Sequence, residues 1–176
     1  NSFKRSMAVL IVLVTSLPLQ VTAQGQIIDD AVKRFTAQIT DIRHNIHENP
    51  ELGNREFKTA ELVASHLREL GIDVQTGVAH TGVVGVLVGG RPGPVVAVRA
   101  DMDALPVTED TNLPFKSTET TTYLGKEVGV MHACGHDIHT AVQLGVASVL
   151  SSMRDNLPGT VKFIFQPAEE GPPPGE

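Results

Sequence analysis

A lone cysteine, three of the seven histidines and a pair of adjacent glutamates fall on two short segments of this chain. The first reads Met131-His132-Ala133-Cys134-Gly135-His136-Asp137-Ile138-His139. The second reads Gln166-Pro167-Ala168-Glu169-Glu170. Thiolate, imidazole and carboxylate are the ligand types that hold a borderline-soft divalent cation. A further carboxylate beside a ligand can serve as a general base. The pattern predicts metal-assisted hydrolysis.

Each group also has a plainer reading. One glycine separates Cys134 from His136, a spacing that can aim both side chains at one cation with Gly135 allowing the tight backbone. By itself it is better read as a buried structural cysteine beside a helix-capping histidine. Asp137, His139 and the carboxylates elsewhere favour the metal. If the chain is extended at Glu169 and Glu170, the two point opposite ways, one toward a cation and one toward a substrate. Otherwise they are solvated loop acids. Asp101 and Asp103 share a face if their strand continues, and can ligate directly or orient the ligand histidines. The alternative is a capped turn before Leu105-Pro106. His44 and His47 are read as partly exposed histidines near a helix C-terminus, where the helix dipole favours them.

The elements that must position these groups alternate in type. Ile28, Val32, Phe35, Ile39, Ile42 and Ile46 recur at gaps of four and three, predicting an amphipathic helix that Asn49-Pro50 stops. A second helix is expected from about residue 55 to 70, closed by Gly71. Residues 72–78, 83–88 and 95–98 are short β-branched runs divided by Gly and Pro, and so read as strands. The last is apolar throughout, as a strand covered on both faces would be. Residues 107–130, rich in Thr, read as a further strand or a surface excursion. A third helix is expected from 137 to about 153, and a buried strand at 161–165. The fold class is therefore α/β, a mostly parallel sheet flanked by helices on both faces. In such sheets reactive groups gather past the carboxyl ends of the strands, where 99–103 and 166–170 both fall.

Composition narrows the function classes. Hydrophobic content of 41% and charged content of 19% suit a globular protein rather than a disordered one. A net charge of −6, with no basic run, argues against nucleic acid as a partner. One cysteine cannot form an intramolecular disulfide, which leaves it buried, reactive, paired between chains or metal-bound.

The N-terminus has its own pattern. Lys4 and Arg5 precede an apolar run at residues 7–14, and Val21-Thr22-Ala23 offers short side chains before Gln24. This is the layout of a secretory signal over residues 1–23, its apolar run shorter than a stable membrane span, with an uncleaved membrane anchor as the alternative. An exported protein, periplasmic or secreted, is expected. A chain that opens on Asn1 and closes on Pro172-Pro173-Pro174-Gly175-Glu176 is expected to be truncated at both ends.

Together the segments resemble the M20 family of metallopeptidases and amidohydrolases, in the branch of hippurate hydrolases, N-acyl-amino-acid amidohydrolases and plant auxin-conjugate hydrolases. The resemblance runs from Arg43 onward. It rests on Arg43-His44-Asn45-Ile46-His47 with Pro50-Glu51-Leu52, on Thr81-Gly82-Val83-Val84-Gly85, on Arg99-Ala100-Asp101-Met102-Asp103-Ala104-Leu105-Pro106, and on the two reactive segments. It implies a site of two divalent cations, zinc or manganese with cobalt also acceptable. Cys134, His136 and Glu170 would be ligands, and Glu169 the base that takes a proton from the attacking water. Asp101 and Asp103 stand where peptidase branches carry a His-x-Asp ligand pair, so a supporting role is implied for them. Asp137 and His139 support in the same way. The implied substrate is a small N-acyl amino acid or peptide-like conjugate. Residues 24–176 would be the N-terminal portion of the catalytic domain, with further ligand histidines and a dimerisation domain beyond Glu176. Such a chain is not expected to turn over substrate alone, and a homodimer stays open for the full-length protein. Two other readings compete: Cys134 as a nucleophile, and a metal-binding module without turnover.

Overall fold

The computed structural model describes residues 17–171, with side chains from Gly25 onward. The apolar run at 7–14, read as the core of an export signal, lies outside the described residues. The chain divides into two units, residues 1–34 and 35–176. Helix α1 (Leu17–Glu48) begins in the first and ends in the second. Among the described residues no helix is long and apolar enough to cross a membrane.

Within the second unit, α1 ends at the predicted Asn49-Pro50 stop. Its apolar seam in this unit faces inward: Ile39 and Ile42 pack on the core and Ile46 is fully buried. Helix α2 (Phe57–Glu69) follows, burying Val63, Ala64 and Leu67. Its N-terminus is held by Glu51, whose carboxylate accepts the main-chain N–H groups of Lys58 at 3.1 Å and Thr59 at 2.8 Å.

Strands β1 (Asp73–Val78), β2 (Gly82–Val88), β3 (Arg91–Asp101) and β6 (Pro158–Gln166) form one sheet in the order β1-β2-β6-β3. Helix α3 (His136–Ser152) and a short 3₁₀ turn (Arg154–Asn156) lead into β6. The α/β class with a sheet flanked by helices is as expected. The pairing is mixed, where a mostly parallel sheet was expected: β3 and β6 are parallel, but β1–β2 and β2–β6 are antiparallel. A short Ala79-His80-Thr81 connection between β1 and β2 allows a hairpin and leaves no room for a crossover.

Alternation along β2 and β6 decides which face is covered. Val83, Leu87, Val161, Phe163 and Phe165 are buried in one cluster with Val63, Ala64 and Leu67 of α2 and Leu144 and Ala147 of α3. Register pairs Val83 with Phe165 and Leu87 with Val161, so these strand residues share a face. The helices therefore gather on that one face rather than both. The expectation that 95–98 is covered on both faces is corrected: Val95 and Val96 are 67% and 50% exposed. β3 is the last strand of the sheet, and an apolar run cannot report whether a neighbour is present. Within residues 107–130 lies a separate hairpin, β4 (Thr120–Tyr123) and β5 (Lys126–Gly129), turned by Leu124-Gly125 with φ of 52° and 74°.

Candidate metal centre

Parallel pairing of β3 with β6 brings the two acidic segments together. Asp101 lies opposite Gln166 in the register, and the N–H of Met102 donates to the Gln166 carbonyl at 3.0 Å. Both chains thus leave the sheet at the same edge. The start of α3 is tied to that edge as well. Thr140 Oγ1 donates to the Asp101 carbonyl at 2.8 Å, and Nδ1 of His136 lies 2.9 Å from the Asp103 carbonyl. A carbonyl only accepts, so Nδ1 carries a proton, and Nε2 is the ring nitrogen on the side of Glu169. Gly135 caps the helix at φ 91°, and a Cβ there would meet nothing within 4 Å. The constraint is conformational: only glycine takes this turn cheaply between Cys134 and His136.

The second acidic segment is a turn, not the extended chain expected. The Gly171 N–H closes onto the Ala168 carbonyl at 3.1 Å, which puts Glu169 and Glu170 at the two corners. They still serve different sides. Donor atoms of Cys134, His136 and Glu170 all lie within 4.8 Å of one another. Glu169 places Oε2 3.7 Å from Nε2 of His136 and Oε1 3.9 Å from Arg99.

Asp101, His136 and His139 also come within 4.8 Å. That second grouping shares His136 with the first, and Asp101 is already engaged. Nδ1 of His139 donates to its Oδ1 at 2.6 Å, and Arg99 pairs with Oδ2 at 3.0 Å. Burial works against the Asp101 charge, but the His139 hydrogen bond and the positive neighbours outweigh it and hold the carboxyl below its usual range. Arg99 already supplies the positive charge there. Asp101 is thus already bound to both His139 and Arg99. Asp103 is fully buried, with Oδ2 accepting the Glu170 N–H at 2.9 Å.

The Cys134, His136 and Glu170 set fits a divalent cation. The Cys134 thiol is pushed up to about 11, first by burial and then by the Glu170 carboxylate beside it, against an N–H from His136 that favours the thiolate. A thiol, an imidazole and a carboxylate within reach of one another are the donor types a divalent cation takes, the thiol giving up its proton on binding. An activated cysteine nucleophile has the opposite signature, a depressed pKa in an electropositive pocket.

Asp137 points away from this cluster. Its Oδ2 lies 2.8 Å from both Nδ1 of His47 and Nε of Arg43. His47 is buried, which corrects its reading as a partly exposed helix histidine. Its Nε2 lies 3.3 Å from Glu109, whose carboxyl is held low despite burial by hydrogen bonds from Thr111, Ser117 and His47. His44 is half-buried and stacks on Phe115 at 3.8 Å. Burial drives the His132 pKa down to about 4. Sequence reasoning missed Arg43, Glu109 and His132 as members of this buried polar layer. The i, i+3 spacing of His44 and His47 beside the apolar seam was the available signal.

With this geometry in view, the relatives are informative. Residues 97–176 match Peptidase family M20/M25/M40. "Thermostable carboxypeptidase 2" of Saccharolobus solfataricus is 51% identical over 140 residues, 79% of this chain and 34% of that protein. "Hippurate hydrolase" of Campylobacter jejuni is 52% identical over 130 residues, 74% of this chain and 31% of that protein. Among solved structures, the Bacillus subtilis YXEP protein, described as a dinuclear metal-binding peptidase of the M20 family, superposes with a TM-score of 0.70 at 45% identity. The match covers 78% of this chain and 36% of that one. The chain belongs to the M20 family. It spans about a third of the length of the curated relatives it matches.

Proposed function

We propose that the full-length protein carrying this chain hydrolyses the amide bond of N-acyl amino acids or related conjugates. The observation that carries this reading is the meeting of thiol, imidazole and carboxylate donors within 4.8 Å, with Glu169 beside the same imidazole. Divalent cations, zinc or manganese with cobalt acceptable, would be held in part by Cys134, His136 and Glu170. When bound they supply an activated water and polarise the substrate carbonyl.

The chain's own groups do the rest. Glu169, with its side chain 38% exposed, is open to a substrate and takes the proton of the attacking water. The same carboxyl then gives that proton to the leaving amine nitrogen. Asp103 keeps the ligand imidazole and the Glu170 main chain in place. Relatives named hippurate hydrolase and "IAA-amino acid hydrolase ILR1-like 2" support the N-acyl amino acid class. Export is part of the same proposal, supported by the Lys4-Arg5 pair, the apolar run and Val21-Thr22-Ala23.

The test is amine release from a panel of N-acyl amino acids by the full-length protein. Chelation should abolish it and added zinc or manganese restore it. Activity that survives chelation but falls to thiol alkylation would overturn the reading.

A further inference from the structure

Glu56 is a fully buried carboxylate, and it declines the task its position offers. It stands at the N-cap of α2, yet its side chain makes no capping hydrogen bond there, and Glu51 holds the first turn instead. Local rules are broken this way where a side chain is needed elsewhere. Glu56 instead reaches across to the reactive turn. Its Oε1 accepts the main-chain N–H of Ala168 at 2.8 Å, and its Oε2 accepts the Thr81 hydroxyl at 2.6 Å.

Ala168 is the residue that needs holding. It has φ of +50°, a left-handed conformation that costs a side-chain-bearing residue free energy, and it directly precedes Glu169. The surrounding chain is fitted closely to it. A Cβ on Gly53 would come within 2.8 Å of the Gly171 carbonyl and 3.0 Å of the Ala168 Cα. A Cβ on Gly82 would come within 3.0 Å of Pro167. The loop before α2 and the start of β2 therefore press directly on the turn, and Glu56 bonds to Thr81, just before β2, and to Ala168 in the turn itself. The turn has two carboxylate anchors, Glu56 on the Ala168 N–H and Asp103 on the Glu170 N–H.

We infer that Glu56 is a positioning residue for Glu169: through the Ala168 N–H it fixes the turn that aims the general base, while Asp103 separately fixes the ligand Glu170. This rests on the proposed role of Glu169. It divides the support of the turn by function, one anchor for proton transfer and one for metal. A carboxylate suits the task because a charged acceptor makes stronger hydrogen bonds than a neutral one. Burial raises the Glu56 pKa, with the Thr81 and Ala168 hydrogen bonds acting the other way.

The experiment compares Glu56→Leu, Glu56→Gln, Thr81→Val and Glu169→Gln in the full-length protein, reading kcat, KM and bound metal for each. Glu56→Leu should lower kcat by roughly 10–100-fold, the range for lost support of a site residue, with KM and metal content near wild type. Glu56→Gln should recover most of that kcat, since its amide oxygen still accepts the Ala168 N–H and Thr81 can turn to accept from its NH₂. If Glu56→Leu does not fold, Thr81→Val decides, with a lower kcat and intact metal expected. Wild-type kcat in Glu56→Leu, or in Thr81→Val when that variant decides, overturns the inference. So does a loss that excess metal restores, or an equal loss in Glu56→Gln. Glu169→Gln separates the two layers. If it abolishes turnover while Glu56→Leu keeps wild-type kcat, only the Glu56 role falls; if Glu169→Gln stays fully active, the base assignment beneath falls too.

Discussion

The carboxylate of Asp103 accepts the main-chain N–H of Glu170 at 2.9 Å while its other oxygen stands 3.2 Å from Nδ1 of His136. One side chain two residues past the end of β3 thus touches two of the three residues whose donor atoms converge. It does so from full burial, behind the cluster. The family resemblance implies a supporting role for Asp103, and these two contacts are what such a role would use.

Removing that support should weaken the metal without abolishing its site. Asp103→Ala is expected to lower metal affinity by roughly 10–100-fold, as losses behind the ligands typically do. Asp103→Asn should be milder, because an amide oxygen still accepts the Glu170 N–H. Titration against a competing chelator measures both, and unchanged affinity in Asp103→Ala would remove Asp103 from the site.

The layer on the other side of α3 should matter for stability. His47→Leu leaves Asp137 Oδ2 with Arg43 alone and strips Glu109 of its histidine. A buried acceptor losing its partner costs about 1–3 kcal/mol. Thermal or denaturant unfolding of the full-length variant should show a loss of that size. An unchanged midpoint would mean the layer is relaxed by water.

A pH effect is expected at His66. Burial lowers its pKa below 6.5, with the nearby Glu69 acting weakly the other way. Ser148 donates to the Leu144 carbonyl at 2.9 Å, so its oxygen accepts from Nε2 of a neutral His66, also at 2.9 Å. The folded state then binds fewer protons than the unfolded state. The stability this contributes is full above pH 6.5 and is lost as pH falls toward the folded-state pKa. His66→Gln, which can still donate to Ser148, should lose less stability than wild type over that acidic range. Parallel curves for the two proteins would contradict the sign.

Export predicts a processed N-terminus. Mass spectrometry of the mature protein from its native host should find it near Gln24. An intact segment from Asn1 to Ala23 on a cytoplasmic protein would refute export.

What could be read from the sequence follows from which interactions are local. Helix periods, the Asn49-Pro50 stop and the β-branched runs are short-range signals, and α2, α3 and the strands fall near their expected places. The placement of Cys134, His136, Glu169 and Glu170 at one sheet edge followed from strand-end reasoning. The pairing of β1 and β2, the exposure of Val95 and the burial of His47 depend on neighbours distant in sequence. Glu56 was illegible for the same reason: as a polar residue at a helix start it resembles any cap, and only the fold reveals that it turns toward Ala168. The resemblance supplied roles for the two glutamates, whereas spacing alone left them equivalent.

The central claim is that Glu169 and Glu170, adjacent in one turn, have different tasks. The direct measurement is kcat for Glu169→Gln and Glu170→Gln in the full-length protein, on an N-acyl amino acid, across a metal titration. Glu169→Gln should keep its metal and lose turnover by at least the ~10²–10⁴-fold typical of a lost general base, with no recovery as metal is added. Glu170→Gln should bind metal weakly and regain part of its activity in excess metal. Rescue of Glu169→Gln by metal would reverse the assignments, and full activity in both variants would contradict the account.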